Sequence, residues 1–379
     1  MPSHTPSVQP NSVSAVTSSA DVAIVGAGIV GCAVAAFLAE AGIAVLLVER
    51  YAVAAGASGR NSGIVQHPMD PLLLSLFTET IAHYRDLATF GFALPAEPQG
   101  LLLVAEEEEA LAGELAAIRA GYPELAPYAL RPGEPAMLEP ALAPHVAGVR
   151  LHTGYAAPPA AAVGAFAARA RAAGAQIRTG AAAALAPGGL DVDGAHVPAG
   201  AVVVAAGPWT PELIDPTGAW RPIVPLWGVN VEVHLAAAPR HALEEVGIEH
   251  LVSGRGDPPP LFSLVTAEGR SSLGSTFLPA EPDAAALAPM LRERGERFVP
   301  ALAATPIGPV RACARPQAAD GRPLLGRAPG HDDVFVAAGH GPWGISLGPA
   351  SARVVADLVL GRTPALSRAF DPARFAMVG

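Results

Sequence analysis

The segment that most restricts how this chain can fold lies near its start. VAIV at 22–25 reads as a buried parallel strand, followed by Gly26-Ala27-Gly28-Ile29-Val30-Gly31 and a helical run through Ala39. A second strand, AVLLV at 44–48, ends in Glu49. Gly26 permits the tight turn, Gly28 lets backbone amides approach a pyrophosphate, and Gly31 lets helix and strand pack closely. Together with Ile29 and Val30 these residues form a dinucleotide-binding turn, with the pyrophosphate on the helix N-terminus. Glu49 stands 23 residues after Gly26, near the spacing of about 20 at which an acidic side chain takes the adenosine ribose hydroxyls. A negative charge there disfavours a 2′-phosphate, so NADP is a poor fit. Val22 to Ala39 carries no charge, but its glycines and Glu40 just beyond suit a buried βαβ unit better than a membrane span.

Two later segments separate FAD from NAD. AVVVAAG at 201–207 is a buried strand that breaks at Gly207 before Pro208-Trp209-Thr210. DVFVAAGHGPWGISLG at 333–348 is another, ending in Gly339 and leading through a glycine-rich turn into a helix. The N-terminus of that helix, expected around Ser346 with Pro349 in its first turn, offers free amides to a group that accumulates negative charge. A flavin does so on reduction at its N1–C2=O edge, so this element fits a flavin better than a nicotinamide.

All 24 basic residues are arginine, and no lysine occurs anywhere. Schiff-base, P-loop and lysine-base chemistries are therefore excluded. With 34 acids the formal net charge is −10, which argues against nucleic acid as a partner. Gly 40 and Pro 39 punctuate apolar runs instead of forming low-complexity tracts. Cys32 and Cys313 cannot make a disulfide framework or a cysteine-based zinc site, so no metal is expected and a reducing, cytoplasmic setting is the default. Cys32 reads as a small core residue. Residues 1–19 read as a disordered leader, without the apolar core of a signal peptide. Glu106–Glu109 opens a helix to about Ala120 as a solvated first turn and is assigned no function.

On these motifs the chain resembles the D-amino acid oxidase-like FAD-dependent oxidoreductases, the group that includes glycine oxidase, monomeric sarcosine oxidase and D-amino acid dehydrogenases. The resemblance runs from about residue 20 to the end. It rests on VAIVGAGIVG…VLLVER, GASGRNSGIV at 56–65, AVVVAAGPWTPEL, ARPQAADGRPLLG at 314–326 and VFVAAGHGPWGISLGPASARVVADLVLG. It implies an α/β fold in which a Rossmann-type FAD-binding domain (20–85, 151–215 and 306–379) is interleaved with an α+β antiparallel-sheet substrate domain (86–150 and 216–305). The alternating patterns at 222–235 and 261–277 agree with antiparallel strands roofing a site.

The resemblance also assigns residues. Beyond the first turn, FAD would be held by Glu49, Arg50, Ser58, Arg60, Asn61, Ser62, Gly63, Ala183, Ala206, Gly207, Trp209, Gly339, Gly341, Gly344 and Ile345. The loop Ser58–Gly63 would meet the pyrophosphate and the flavin edge. Arg311, Cys313 and Arg315 recur with period two, so a strand places them on one face. Arg315 matches the arginine that binds the substrate carboxylate in glycine oxidase-like members, a task suited to a planar, always-charged fork; a structural ion pair is the plainer reading. Arg311 reads as structural. Cys313 falls where sarcosine oxidase-like members carry a cysteine bonded to the flavin, though a buried thiol beside the ring serves as well. His340 and Trp343 would lie close to the ring, with His67 and Trp227 as further pocket residues. Trp227 stands where the family often has an arginine.

The expected reaction is oxidation of a carbon–nitrogen bond in an amino acid or a secondary or cyclic amino acid, by hydride transfer to flavin N5, giving an imine. The electron acceptor is oxygen or another molecule, and a homo-oligomer is left open. Oxidation of a 2-hydroxy acid, flavin monooxygenation and non-catalytic FAD binding are the alternatives.

Overall fold

The computed structural model describes residues 19–247 and 260–375. Residues 1–18 of the leader read at 1–19, part of the segment 216–305 and the last four residues lie outside the described residues.

A sheet that is mainly parallel is built in the order Leu324–Arg327, Val334–Ala338, Ala195–Val204, Ala20–Val25, Val45–Glu49, Gln176–Thr179, with the hairpin of Ala183–Ala186 and Gly189–Val192 attached to Ala195–Val204. Leu324–Arg327 alone runs antiparallel to its neighbour on that path. Val25 sits opposite Val48 and Val204, and Val204 opposite Val336. Four parallel strands therefore end on one edge, which brings Gly26, Glu49, Gly207 and Gly339 together across more than 300 residues of chain. Ligands of open parallel sheets bind at this carboxyl edge.

The helix Ile29–Glu40 is buried from Ile29 to Ala39, so it needs apolar residues on every side. It packs between the helices Ala161–Ala172 and Gly344–Val359. Gly344–Val359 begins two residues before the expected start, after a 3₁₀ turn at Gly341–Trp343, and Pro349 lies inside it. Proline has no N–H for the carbonyl four residues back. That carbonyl, Ile345 O, instead accepts from the buried Tyr84 hydroxyl at 2.6 Å.

An antiparallel-rich sheet runs in the order Val310–Ala318, Ile223–Val233, Arg270–Gly274, Ser263–Ala267, Ala242–Glu245, Leu101–Ala105, Ala147–Leu151, Tyr128–Leu130. The alternating stretches at 222–235 and 261–277 are strands within it, as their period implied. Val310–Ala318, assigned by the sequence reading to the cofactor domain, pairs along its whole length with Ile223–Val233 in this sheet. The helix expected from the acidic run is Glu109–Gly121; Glu106, just before it, bonds to Arg294 and Arg297 instead of standing free in water. Separate apolar clusters fill both faces of each sheet. No helix among the described residues is long and apolar enough to cross a membrane.

Candidate active site

The first glycine turn has the shape its sequence requires. Gly26 has φ +105°, and a Cβ there would lie 2.5 Å from the Ala205 carbonyl oxygen. A Cβ on Gly31 would overlap the Gly26 carbonyl, so strand and helix touch backbone to backbone. Gly28 is the N-cap, with no side-chain cap of its own and no acid in the first turn. The helix end thus keeps a positive dipole for an anionic ligand.

Glu49 folds back over this turn. Its two carboxylate oxygens accept from Ala27 N at 2.8 Å and Tyr51 N at 2.9 Å, fixing the acid beside the glycines. Arg50 next to it is exposed. Ser58, expected on the pyrophosphate, accepts from Ile29 N at 3.0 Å and so caps one helix amide itself. Asn61 closes its own loop, donating to the carbonyls of Ala57 and Ser58 and accepting from Gly63 N. Arg60 reaches the Ala312 carbonyl at 3.4 Å and ties the loop to the antiparallel-rich sheet. Ala183 opens the attached hairpin, and Ala181 N, two residues before it, bonds to Glu49 O. Ala206 and Gly207 follow their strand end, and Trp209 is 55% exposed on the 3₁₀ turn there.

A cavity of about 80 Å³ opens between the two sheets. The cofactor side contributes Asn61, Ser62 and Ile64, with Trp343, Ile345 and Ser346 from the last turn and helix. The antiparallel-rich sheet contributes Arg315, Ser263, Ser275, Phe277 and Glu244, and Gln66 closes one end. Arg315 is half-buried and lies across Gly228: a Cβ at that position would collide with the guanidinium. The fork is locked by Nη1 to Thr276 O at 2.8 Å and Nη2 to Ser275 Oγ at 2.7 Å, and it lies 4.6 Å from the centre of the Phe277 ring. No carboxylate among the described residues pairs with it, so the structural ion pair is not what holds this side chain. Arg311, two residues earlier, does pair, with Glu232 at 3.5 Å and Ser272 at 3.0 Å.

Cys313 shares that strand. It is buried, which pushes its thiol up despite Arg315, Arg60 and Arg311 nearby. Among the other expected residues, Trp343 and Ile345 reach the cavity, whereas His340, His67 and Trp227 do not line it. His340 is buried in a bridge to Gln317, and burial holds its imidazole down at about 4, neutral at ordinary pH. His67 sits against Phe77 and Tyr122, 3.6 Å from Glu124, and burial lowers it as well. Trp227 bridges Leu278 at the sheet margin. Gly339 and Gly341 adopt φ +87° and +53° in the turn, and Gly344 opens the helix.

Sequence reasoning missed Gln66, Ser275, Phe277 and, above all, Glu244; it placed Ser346 only at a helix start. Gln66 N donates to Ser346 Oγ at 3.0 Å, tying the segment after Ile64 to the last helix. Glu244 is buried, and its carboxylate accepts from Gln66 Nε2 at 3.2 Å; desolvation pushes it up to about 7. One signal was available: Glu244 and Glu245 are adjacent in an apolar strand, and neighbours in a strand face opposite ways. Glu245 meets Arg294 on the other face, which leaves Glu244 facing the cavity. Among the described residues no cluster of His, Cys, Asp or Glu could hold a metal ion.

The chain is similar to known proteins over most of its length. The family described as DAO, FAD dependent oxidoreductase, matches residues 21–358. Glycine oxidase of Geobacillus kaustophilus is 30% identical over 94% of this chain and 96% of its own. Glycine oxidase of Pseudomonas aeruginosa is 33% identical over 47% of this chain; like other curated relatives matched, it is spanned only in part, over 45% of its length. The crystal structure of glycine oxidase from Geobacillus kaustophilus superposes with a TM-score of 0.78 at 28% identity, covering 95% of this chain and 98% of that one.

Proposed function

The chain belongs to the FAD dependent oxidoreductase family, and from that premise we propose that it oxidises the carbon–nitrogen bond of a small amino acid or carboxylated secondary amine. The observation that carries this reading is Arg315, a guanidinium fork locked in a cavity with no protein carboxylate to neutralise it. A half-buried cation with hydrogen bonds but no counter-charge is left unneutralised, and a substrate carboxylate in charge-assisted contact supplies that counter-charge.

The residues fit FAD. Gly26 and Gly31 leave no room for a side chain, and the helix they open has no acid in its first turn, with Ser58 capping its Ile29 amide. Gly26–Gly31, Glu49, Arg50 and the loop Ser58–Gly63 would hold its dinucleotide part, with Ala183 and Ala206, Gly207 and Trp209 beside them. Gly339, Gly341, Gly344 and Ile345 would border the ring. When bound, FAD supplies the hydride acceptor. No covalent bond to Cys313 is needed, and its raised thiol does not favour one.

Arg315 fixes the substrate by its carboxylate, while Ser275 and Thr276 stop the fork from turning and Phe277 supports its face. Trp343, Ile345 and Ile64 form an apolar wall that limits water. Such positioning is the main demand of hydride transfer, since the amine lone pair itself drives departure from the α-carbon. The test is anaerobic bleaching of the flavin by glycine, N-methylglycine, proline and the enantiomers of alanine. Arg315→Ala should lower the apparent affinity for the active amino acid about a hundredfold, with flavin content unchanged. Equal bleaching by variant and wild type removes the anchoring role.

A further inference from the structure

From the opposite end of the same cavity we infer that Glu244, with Gln66, holds the cationic nitrogen of the substrate. The inference rests on Arg315 as the carboxylate holder and adds the second half of a zwitterion site. Glu244 pairs in register with Ser263, and Ser263 with Gly274, the residue before Ser275. Two strand spacings, about 10 Å, thus separate the backbone of Glu244 from the strand end that locks Arg315. Contacts at both ends of an amino acid can bridge such a span, because both side chains reach inward.

The carboxylate of Glu244 and the amide oxygen of Gln66 are both acceptors at that end. Glu244 takes one hydrogen bond from Gln66 Nε2, and no arginine or histidine among the described residues pairs with it. Gln66 Oε1 is buried without a hydrogen-bond partner, although its residue lines the cavity. A buried carboxylate beside an unpartnered amide oxygen is matched by a group with several N–H donors and a positive charge. An ammonium supplies both; a hydroxyl supplies one donor and no charge. Glu244 and Arg315 are the titratable groups of the lining, so the cavity is polarised from one end to the other. The nitrogen is either the α-amine or a side-chain amine, which share this chemistry. For the α-amine, Glu244 also takes the proton: an N–H bond breaks, an O–H bond forms, and the electron pair stays on nitrogen.

The experiment uses holoenzyme with its flavin, as wild type, Glu244→Gln and Arg315→Ala. Each is titrated without oxygen with glycine, the enantiomers of lysine, and glycolate, and binding is read from the flavin spectrum. Glu244→Gln keeps the shape and the Gln66 contact but removes the charge. It should weaken amine-bearing ligands about tenfold and leave glycolate within about twofold, while Arg315→Ala weakens all of them. Loss for glycine and lysine together identifies the α-amine, and loss for lysine alone the side-chain nitrogen. Equal effects on amines and glycolate, no effect on any, or no binding by wild type overturns the inference. Glu244-dependent binding without bleaching keeps this site and removes the oxidation reading instead.

Discussion

At the scale of single residues, burial decides what each polar group can do. His340 looks in sequence like an acid–base residue, yet it is enclosed, and its Nε2 has no protein partner. Held at about 4 when folded against 6.5 when free, it binds no proton in a window where the unfolded chain does. Stability from this residue is therefore intact above pH 6.5, falls between 6.5 and 4, and levels off below; the loss is about 3 kcal/mol at most. Glu244, raised from 4.5 to about 7, works in the opposite sense, favouring the folded state at low pH and losing that contribution as pH rises through 7. A comparison of wild type with His340→Gln isolates the first effect. The variant should lose less melting temperature between pH 7 and 5, and parallel curves would show that His340 is not held neutral. Arg315 was legible in sequence through the resemblance of its motif, with period two putting it on a strand face, but the Gly228 gap it lies across was not. That gap depends on which strand pairs with which, and nothing local specifies it.

At the scale of elements, the glycine turn with Ile29–Glu40 was readable in full, since strand, turn, helix and second strand are contiguous and each residue type has a local reason. The last helix was read with its start two residues late. Pro349 suggested a first-turn position, where its missing N–H costs nothing. The helix extends past it because Tyr84, 261 residues earlier, supplies the donor that Ile345 O lacks. Tyr84→Phe should leave that buried carbonyl unpaired and cost about 1–3 kcal/mol, read as a lower denaturation midpoint. An unchanged midpoint would mean that water or another group replaces the hydroxyl. Val310–Ala318 teaches a similar lesson: its place in the chain put it with the cofactor domain, yet its hydrogen bonds belong to the other sheet.

At the scale of the whole molecule, the absence of lysine has a specific consequence. A positive charge over the ring speeds electron transfer to oxygen by stabilising developing superoxide. Burial keeps His340 neutral and lowers His67, neither lines the cavity, and Arg315 is the cation left there. With Arg315 engaged by a carboxylate, we expect the reduced protein to pass electrons to an indophenol dye faster than to air. Reoxidation by air at the rate of the dye would refute that expectation. The sequence by itself determined the dinucleotide turn, the parallel core, the antiparallel strands and the family, because those features are written in contiguous periodicities and fixed glycine spacings. Only the tertiary structure decided which polar groups face the cavity. Glu244, Gln66, Ser275 and Arg315 meet through strand pairing and the apposition of two sheets, and burial then sets their charge. Neither pairing partners nor desolvation is encoded in any short stretch of chain.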